Sequence, residues 1–139
     1  MINTLKSINT WHSLLNIIAF HYKKNSPYIN IIISSQLIDI LQILQDNGYI
    51  HTYYNHTKGE TCDCTIYLKY FRSQPAWQTL LIYSKPSHQI FVSHQDLINT
   101  VKKTSQSKSL TLIATSKGVI SLSEAMSRKL GGILLAKLQ

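Results

Sequence analysis

Ala114-Thr115-Ser116-Lys117-Gly118-Val119-Ile120-Ser121, taken with Leu130-Gly131-Gly132 and the closing apolar run of residues 133–138, decides how this chain is read. Residues 110–114 are a short apolar and β-branched run, which predicts a strand. Thr115, Ser116 and Lys117 then put two hydroxyls and one ammonium on a turn. Gly118 ends that turn, where a glycine permits φ > 0 or a close approach to the backbone. Ser121 or Ser123 suits a helix cap, with Glu124 in the first turn. The helix is expected to run to Leu130, with Gly131 at its C-terminal cap. The order is strand, hydroxyl-rich basic turn, short helix, strand. Small hydroxyls let a partner's backbone come near while lysine supplies charge, so such a turn suits phosphate, sugar or base edges.

Working outward, the composition agrees with a polyanionic partner. The chain has 139 residues, enough for one domain or two small ones, and its 44% apolar content is that of a globular protein. Fourteen Lys and Arg stand against six Asp and Glu, a net charge of +8, which favours nucleic acid as partner. The carboxylates, Asp39, Asp46, Glu60, Asp63, Asp96 and Glu124, are scattered singly, so no acid/base pair suggests itself. Ser116-Lys117 offers a hydroxyl beside an amine, but adjacent strand residues point to opposite faces. There is neither a Gly-x-Ser-x-Gly elbow nor a Gly-x4-Gly-Lys phosphate loop. The expectation is a protein that is not an enzyme, with no catalytic residues, no cofactor and no small-molecule substrate.

Cys62 and Cys64 are the only cysteines, so no disulfide framework is implied. With His51 and His56 they do not make a zinc spacing, and a second ligand pair is missing, so no metal is expected. No apolar run reaches the ~20 residues of a membrane span. Residues 1–9 lack the arginines of a transit peptide and the apolar core of a signal peptide. The abundance of Ile, Asn, Tyr and Lys, residues of AT-rich codons, points to synthesis inside an organelle or in an AT-rich bacterium.

In chain order, Trp11, Leu14, Leu15, Ile18 and Tyr22 follow a 3.6-residue period and predict a first helix, with Lys23 and Lys24 at its C-terminal end. Pro27 breaks it. Residues 28–33 read as a strand, Ser34-Ser35 as a cap, and residues 37–45 as a second amphipathic helix stopped by Asn47-Gly48. Residues 49–55 and 65–71 read as a hairpin about Lys58-Gly59-Glu60, with Lys69 a candidate phosphate contact. Ser73-Gln74-Pro75 is the expected linker, dividing the chain into residues 1–72 and 73–139. Beyond it come strands at 77–83 and 89–92 around the turn Ser84-Lys85-Pro86-Ser87, a helix at 96–103 with Leu97, Ile98 and Val101 inward, and a hydrophilic loop at 104–109. The predicted fold class is α+β: two small α/β domains packed together, the first α-β-α-β-β, the second β-rich with a short helix before the last strand.

Thr115-Ser116-Lys117-Gly118-Val119 and the strand opened by Gly131-Gly132 resemble the signature end of the bacterial-type small-subunit ribosomal protein eight family. That family's loop reads Ser-Thr-Ser-x-Gly and its last strand opens Gly-Gly-Glu; here Ala114 and Ile133 stand in place of the first serine and the glutamate. Ser34-Ser35-Gln36-Leu37 and Gly48-Tyr49-Ile50 are similar to the family's Ser-Ser-Lys-Leu and Gly-Phe-Ile. Leu68-Lys69-Tyr70-Phe71 stands almost as in bacterial members, and Ser84-Lys85-Pro86-Ser87 resembles Ser-Arg-Pro-Gly. The family's Ile-Arg-Asn on the first helix is replaced by Ile18-Ala19-Phe20, so fewer RNA contacts are expected there.

The resemblance implies a structural protein that binds the central domain of small-subunit ribosomal RNA directly, supports platform assembly and neighbours ribosomal protein five. The implied RNA-binding residues are Thr115, Ser116, Lys117, Gly118, Ser84, Lys85, Pro86 and Lys69. The implied location is the mitochondrial ribosome in the matrix, or alternatively the cytoplasm of an AT-rich bacterium. The competing reading is a non-ribosomal basic RNA-binding module or a protein-interaction module, the latter marked by an exposed aromatic patch around Tyr53, Tyr54 and Trp77 without RNA affinity.

Overall fold

The computed structural model describes residues 10–85, 87–104 and 109–139, with the backbone alone for residues 100–104. The protein is α+β and forms two compact units, Met1–Gln78 and Thr79–Gln139.

The N-terminal unit opens with α1 (Trp11–Lys23), whose Leu14, Leu15, Ile18 and Tyr22 are buried at the predicted helical spacing. In β1 (Tyr28–Ser34), Ile29, Ile31 and Ile33 turn inward while Tyr28 and Asn30 turn outward, the period-two pattern of a half-buried strand. A single 3-10 turn at Ser35–Leu37 leads into α2 (Ile38–Asp46), which buries Ile40, Leu41 and Leu44. Two strands follow, β2 (Thr52–Asn55) and β3 (Thr61–Tyr67). The sheet is antiparallel in the order β1-β3-β2, with α1 against β1 and α2 against β2.

The hairpin expected about Lys58-Gly59-Glu60 is present, but β3 starts four residues earlier than predicted and ends at Tyr67. Leu68 leaves the ladder and donates its N–H to the Pro27 carbonyl at 3.0 Å. Lys69 likewise donates to the Tyr22 hydroxyl at 3.1 Å. That hydroxyl in turn donates to the Tyr49 carbonyl at 2.7 Å, so one buried side chain ties together α1, the end of α2 and the exit of β3. Burial of the phenol pushes its pKa up to about 12.

Ser73-Gln74-Pro75, expected as a linker, instead returns as part of a two-residue hairpin. β4 (Tyr70–Phe71) pairs with β5 (Gln74–Pro75), and Arg72 and Ser73 both take positive φ, 50° and 63°. Two central residues of positive φ match the right-handed twist of the strands, and here non-glycine residues accept that conformation. Trp77, predicted on a strand, packs into this unit at 2% exposure, its ring 5.5 Å from that of Tyr22.

The C-terminal unit contains β6 (Leu80–Ile82), β7 (Phe91–Val92), α3 (His94–Thr104), β8 (Leu110–Thr115), β9 (Gly118–Ser121), α4 (Leu122–Ser127) and β10 (Gly132–Leu138). Its antiparallel sheet runs β6-β10-β8-β9, with β7 pairing the first residues of β10. Leu97 of α3 and Ala125 of α4 pack with Ile113 and Ile120, and Val92, Leu130 and Leu134 close the cluster. Ser93 caps α3 reciprocally: its hydroxyl accepts from the Asp96 N–H at 3.2 Å, and its own N–H donates to the Asp96 carboxylate at 3.3 Å. Val101, expected to face inward, and residues 105–108 of the expected loop lie outside the described side chains.

The closing segment differs from its sequence reading in two ways. Residues 118–121 form a strand before the helix, because Val119 and Ile120 continue the hairpin in register with Ala114 and Ile113. The helix that Ser121 caps, accepting from the Glu124 N–H at 3.3 Å, ends at Ser127 rather than Leu130. Lys129, at φ 57°, takes the left-handed position expected for Gly131. The bonds from the Leu130 N–H to the Ala125 carbonyl and from the Lys129 N–H to the Met126 carbonyl complete a Schellman end. The glycines are needed for space instead. A Cβ on Gly132 would run into the Ala114 carbonyl oxygen, and one on Gly131 would lie 2.7 Å from the Val92 carbonyl.

Candidate nucleic-acid interface

The 115–118 turn is a tight β8–β9 connection in which Thr115 pairs with Gly118. Gly118 carries the positive φ, 103°, the place for glycine after a turn of ordinary handedness. The Thr115 hydroxyl is used inside the turn. It donates to the Gly118 carbonyl at 2.9 Å and accepts from the Lys117 N–H at 3.2 Å. Thr115 therefore shapes the turn. Ser116, Lys117 and Gly118 are exposed, and the Ser116 hydroxyl makes no hydrogen bond among the described residues.

A second turn reaches the same region. Lys85 is exposed, and it exchanges backbone hydrogen bonds with His88 at 2.8 and 3.0 Å. Pro86 lies outside the described residues. Ser84 is only 3% exposed; its hydroxyl donates to the Leu134 carbonyl and accepts from the Ile90 N–H at 3.0 Å. The serine thus anchors the base of this turn to β10, an arrangement assisted by the bulge at Leu135, whose carbonyl takes the N–H groups of Tyr83 and Ser84. At the neighbouring position on β10, Ile133 pairs with Ala114 on one side and Phe91 on the other. The start of β10 therefore carries the Lys85 turn along one edge and the 115–118 turn beyond the other. Lys69 belongs to the N-terminal unit, exposed on the segment after β3, with its ammonium 3.3 Å from where a Cβ on Gly48 would stand.

Charge is uneven along the chain. Residues 79–139 hold eight Lys and Arg against Asp96 and Glu124, a net +6 of the chain's +8. Both carboxylates are engaged, Asp96 with Ser93 and Glu124 with Arg128 at 2.7 Å. Phosphates would meet little opposition here, and each neutralised contact releases counterions.

Elsewhere the chemistry is quiet. Cys62 and Cys64 are buried free thiols, and burial pushes Cys64 up to about 11, away from the thiolate form that reacts or binds metal. Among the described residues no three His, Cys, Asp or Glu side chains gather as a metal site. The aromatic patch anticipated at Tyr53, Tyr54 and Trp77 does not assemble: Trp77 is buried, and the Tyr53 hydroxyl donates to Gln42 at 2.8 Å on the helix side. Tyr54 instead joins Tyr28 and Tyr67, a cluster that sequence periodicity could not signal because its members come from three strands. On α1, Phe20 is 52% exposed with the Lys24 ammonium 4.4 Å above its ring.

Exposed lysines on two turns of one sheet, in a unit of net charge +6, are the features of a surface that meets a polyanion. Comparison with known proteins gives the family: residues 12–138 match that of ribosomal protein S8. The chain belongs to the ribosomal protein S8 family, whose members are structural proteins of the ribosome and not enzymes. It is 34% identical to small ribosomal subunit protein uS8 of Erythrobacter litoralis over 99 residues, 71% of this chain and 72% of that protein. It is 31% identical to uS8 of a Wolbachia from Brugia malayi over 98 residues, 70% and 72% of the two chains. With uS8m of Acanthamoeba castellanii the identity is 26% over 128 residues, 91% and 95% of the two chains.

Proposed function

We propose that this protein is a structural constituent of the small ribosomal subunit that binds small-subunit ribosomal RNA directly through its C-terminal unit. The finer reading is that it grips a helix of the central domain and supports platform assembly beside ribosomal protein five. One observation carries the RNA reading: Ser116 and Lys117 stand exposed on a turn that the Thr115 hydroxyl braces from within, in a unit of net charge +6. Lys117 and Lys85 neutralise phosphates, while the Ser116 hydroxyl reads a ribose hydroxyl or an irregular base pair. Thr115 and Ser84 position the two turns from within. Lys69 is an additional phosphate contact from the N-terminal unit.

The AT-codon residues and the relative named uS8m support a mitochondrial ribosome in the matrix as its place of work. The bacterial relatives support the cytoplasm of an AT-rich bacterium as the alternative.

Titration against the central-domain helix and a regularised duplex tests the reading. Lys117→Ala is expected to weaken binding to both RNAs alike and to lower the salt slope by about one. Ser116→Ala is expected to act on the irregular helix alone, costing about 1 kcal/mol for one hydrogen bond. Equal loss on both RNAs from Ser116→Ala would make the turn a phosphate clamp, and no loss from either variant would move the RNA site elsewhere.

A further inference from the structure

Tyr28, Tyr54 and Tyr67 meet on the face of the N-terminal sheet turned away from its helices. Tyr28 of β1 pairs directly with Tyr67 of β3, and Tyr54 of β2 pairs with Thr65, two residues before Tyr67. The rings touch in sequence across the sheet. Tyr28 and Tyr67 are tilted at 44° with centroids 6.1 Å apart, and Tyr54 meets Tyr67 edge to face at 5.8 Å. They remain 50%, 57% and 40% exposed for Tyr28, Tyr54 and Tyr67. Three half-exposed rings in contact make a patch, unlike scattered single aromatics.

Beside them the polar groups of the face satisfy one another. The Thr65 hydroxyl donates to the Asn30 side-chain carbonyl at 2.8 Å, and His56 Nε2 lies 2.9 Å from the same hydroxyl. The rings are therefore the apolar surface that this face offers a partner, with the exposed Asp63 two residues beyond Thr65 toward its hairpin end. Charge is divided along the strands. Lys23 precedes β1 and Arg72 follows β3, and the bond from the Leu68 N–H to the Pro27 carbonyl joins these segments at the tyrosine end. Glu60 and Asp63 lie toward the hairpin end, and no Asp or Glu occurs in residues 10–38 or 64–95.

We propose that this face takes the unpaired bases of a single-stranded RNA segment, as a second RNA contact separate from the 115–118 turn. Every base has a π-face, so rings on a sheet bind unpaired bases with little sequence preference, while flanking cations follow the phosphates. A duplex hides its bases in the stack and gains nothing from the rings. The inference rests on the reading of the protein as RNA-bound, but it concerns a different surface and a different RNA form.

The test uses the full chain, a labelled eight-nucleotide oligouridylate and the central-domain helix. The triple variant Tyr28→Ser, Tyr54→Ser, Tyr67→Ser changes half-exposed side chains, and circular dichroism checks that it folds. It is expected to lose at least about tenfold in oligouridylate affinity, since alanine-type loss of a stacked ring costs about that much, while its affinity for the helix stays within about twofold. The triple phenylalanine variant keeps the rings and is expected to keep the affinity. Helix binding that fails in the wild-type chain speaks against the proposed function; oligouridylate binding that is absent, or equal in the serine variant, overturns this second site alone. Loss in the phenylalanine variant overturns stacking as the mode. Tyrosines protected from iodination by a purified small-subunit protein, and not by oligouridylate, make the face a protein-docking surface and the proposal wrong.

Discussion

The two candidate RNA contacts are assembled differently. In the C-terminal unit, four consecutive residues supply the turn, its internal hydrogen bonds and its exposed groups. In the N-terminal unit, three tyrosines from three strands meet only because the register sets Tyr28 opposite Tyr67 and Tyr54 opposite Thr65. A turn is written in adjacent residues, so its chemistry can be read along the chain. A sheet face is written in pairings between distant residues, where a slip by one would turn every ring to the other side.

The largest expected effect asks whether the local turn is local after all. Gly132 lets β10 approach β8 so closely that a side chain there would strike the Ala114 carbonyl, one residue before the turn. Gly132→Val is expected to destabilise the C-terminal unit by about 3 kcal/mol, the upper end for overpacking, and to weaken RNA binding by the turn with it. Both tryptophans, Trp11 and Trp77, lie in the N-terminal unit, so amide exchange across β8 is the appropriate measurement. Unchanged protection would mean that the turn stands on its own residues.

A smaller effect sharpens the comparison, because each unit has a buried hydroxyl that bridges two backbone groups distant in sequence. Tyr22 links the Tyr49 carbonyl and the Lys69 N–H; Ser84 links the Leu134 carbonyl and the Ile90 N–H. Tyr22→Phe and Ser84→Ala each leave two backbone groups without that partner, and each is expected to cost about 1–3 kcal/mol. Urea unfolding followed by tryptophan fluorescence reads the first, and exchange of the Ile90 amide reads the second. If Ser84→Ala leaves that amide protected yet weakens RNA binding, the serine is a contact and not an anchor.

The smallest effect concerns pH in the N-terminal unit. Burial, helped by the Lys24 ammonium, holds His21 below its ordinary value of 6.5. The unfolded chain then binds a proton that the folded chain resists, so this contribution is full above about pH 6.5 and declines as pH falls toward the lowered folded value. His21→Gln is expected to flatten the N-terminal unit's stability between about pH 5 and 7, measured by urea midpoints at fixed salt. A slope unchanged in the variant would assign it to other groups.

Legibility followed the same division. The helical spacing of Leu14, Leu15, Ile18 and Tyr22 was plain, as were the strand at residues 28–33 and a serine cap at Ser121 or Ser123, because each depends on neighbours within a turn or two. The end of α4 was misread because Gly131 looked like a cap, whereas Lys129 accepts the left-handed conformation and Gly131 makes room for Val92. Ser73-Gln74-Pro75 looked like a linker because proline and polar residues signal a break, but Arg72 and Ser73 take the positive φ of a tight hairpin. Ser84 looked like a surface hydroxyl, and only the bulge of β10 reveals that it is buried.

By itself the sequence determined the α+β composition, the basic character, the apolar stripes of the helices and the turn that carries Ser116 and Lys117. These rest on local propensity, periodicity and charge, which act over a few residues. The tertiary structure alone decided that Ser84 is buried, that the Lys85 turn flanks the same end of β10 as the 115–118 turn, and that three tyrosines share one face. Those outcomes depend on strand register and on backbone approaches as close as that of Gly132 to Ala114, which are set by packing between segments far apart in the chain.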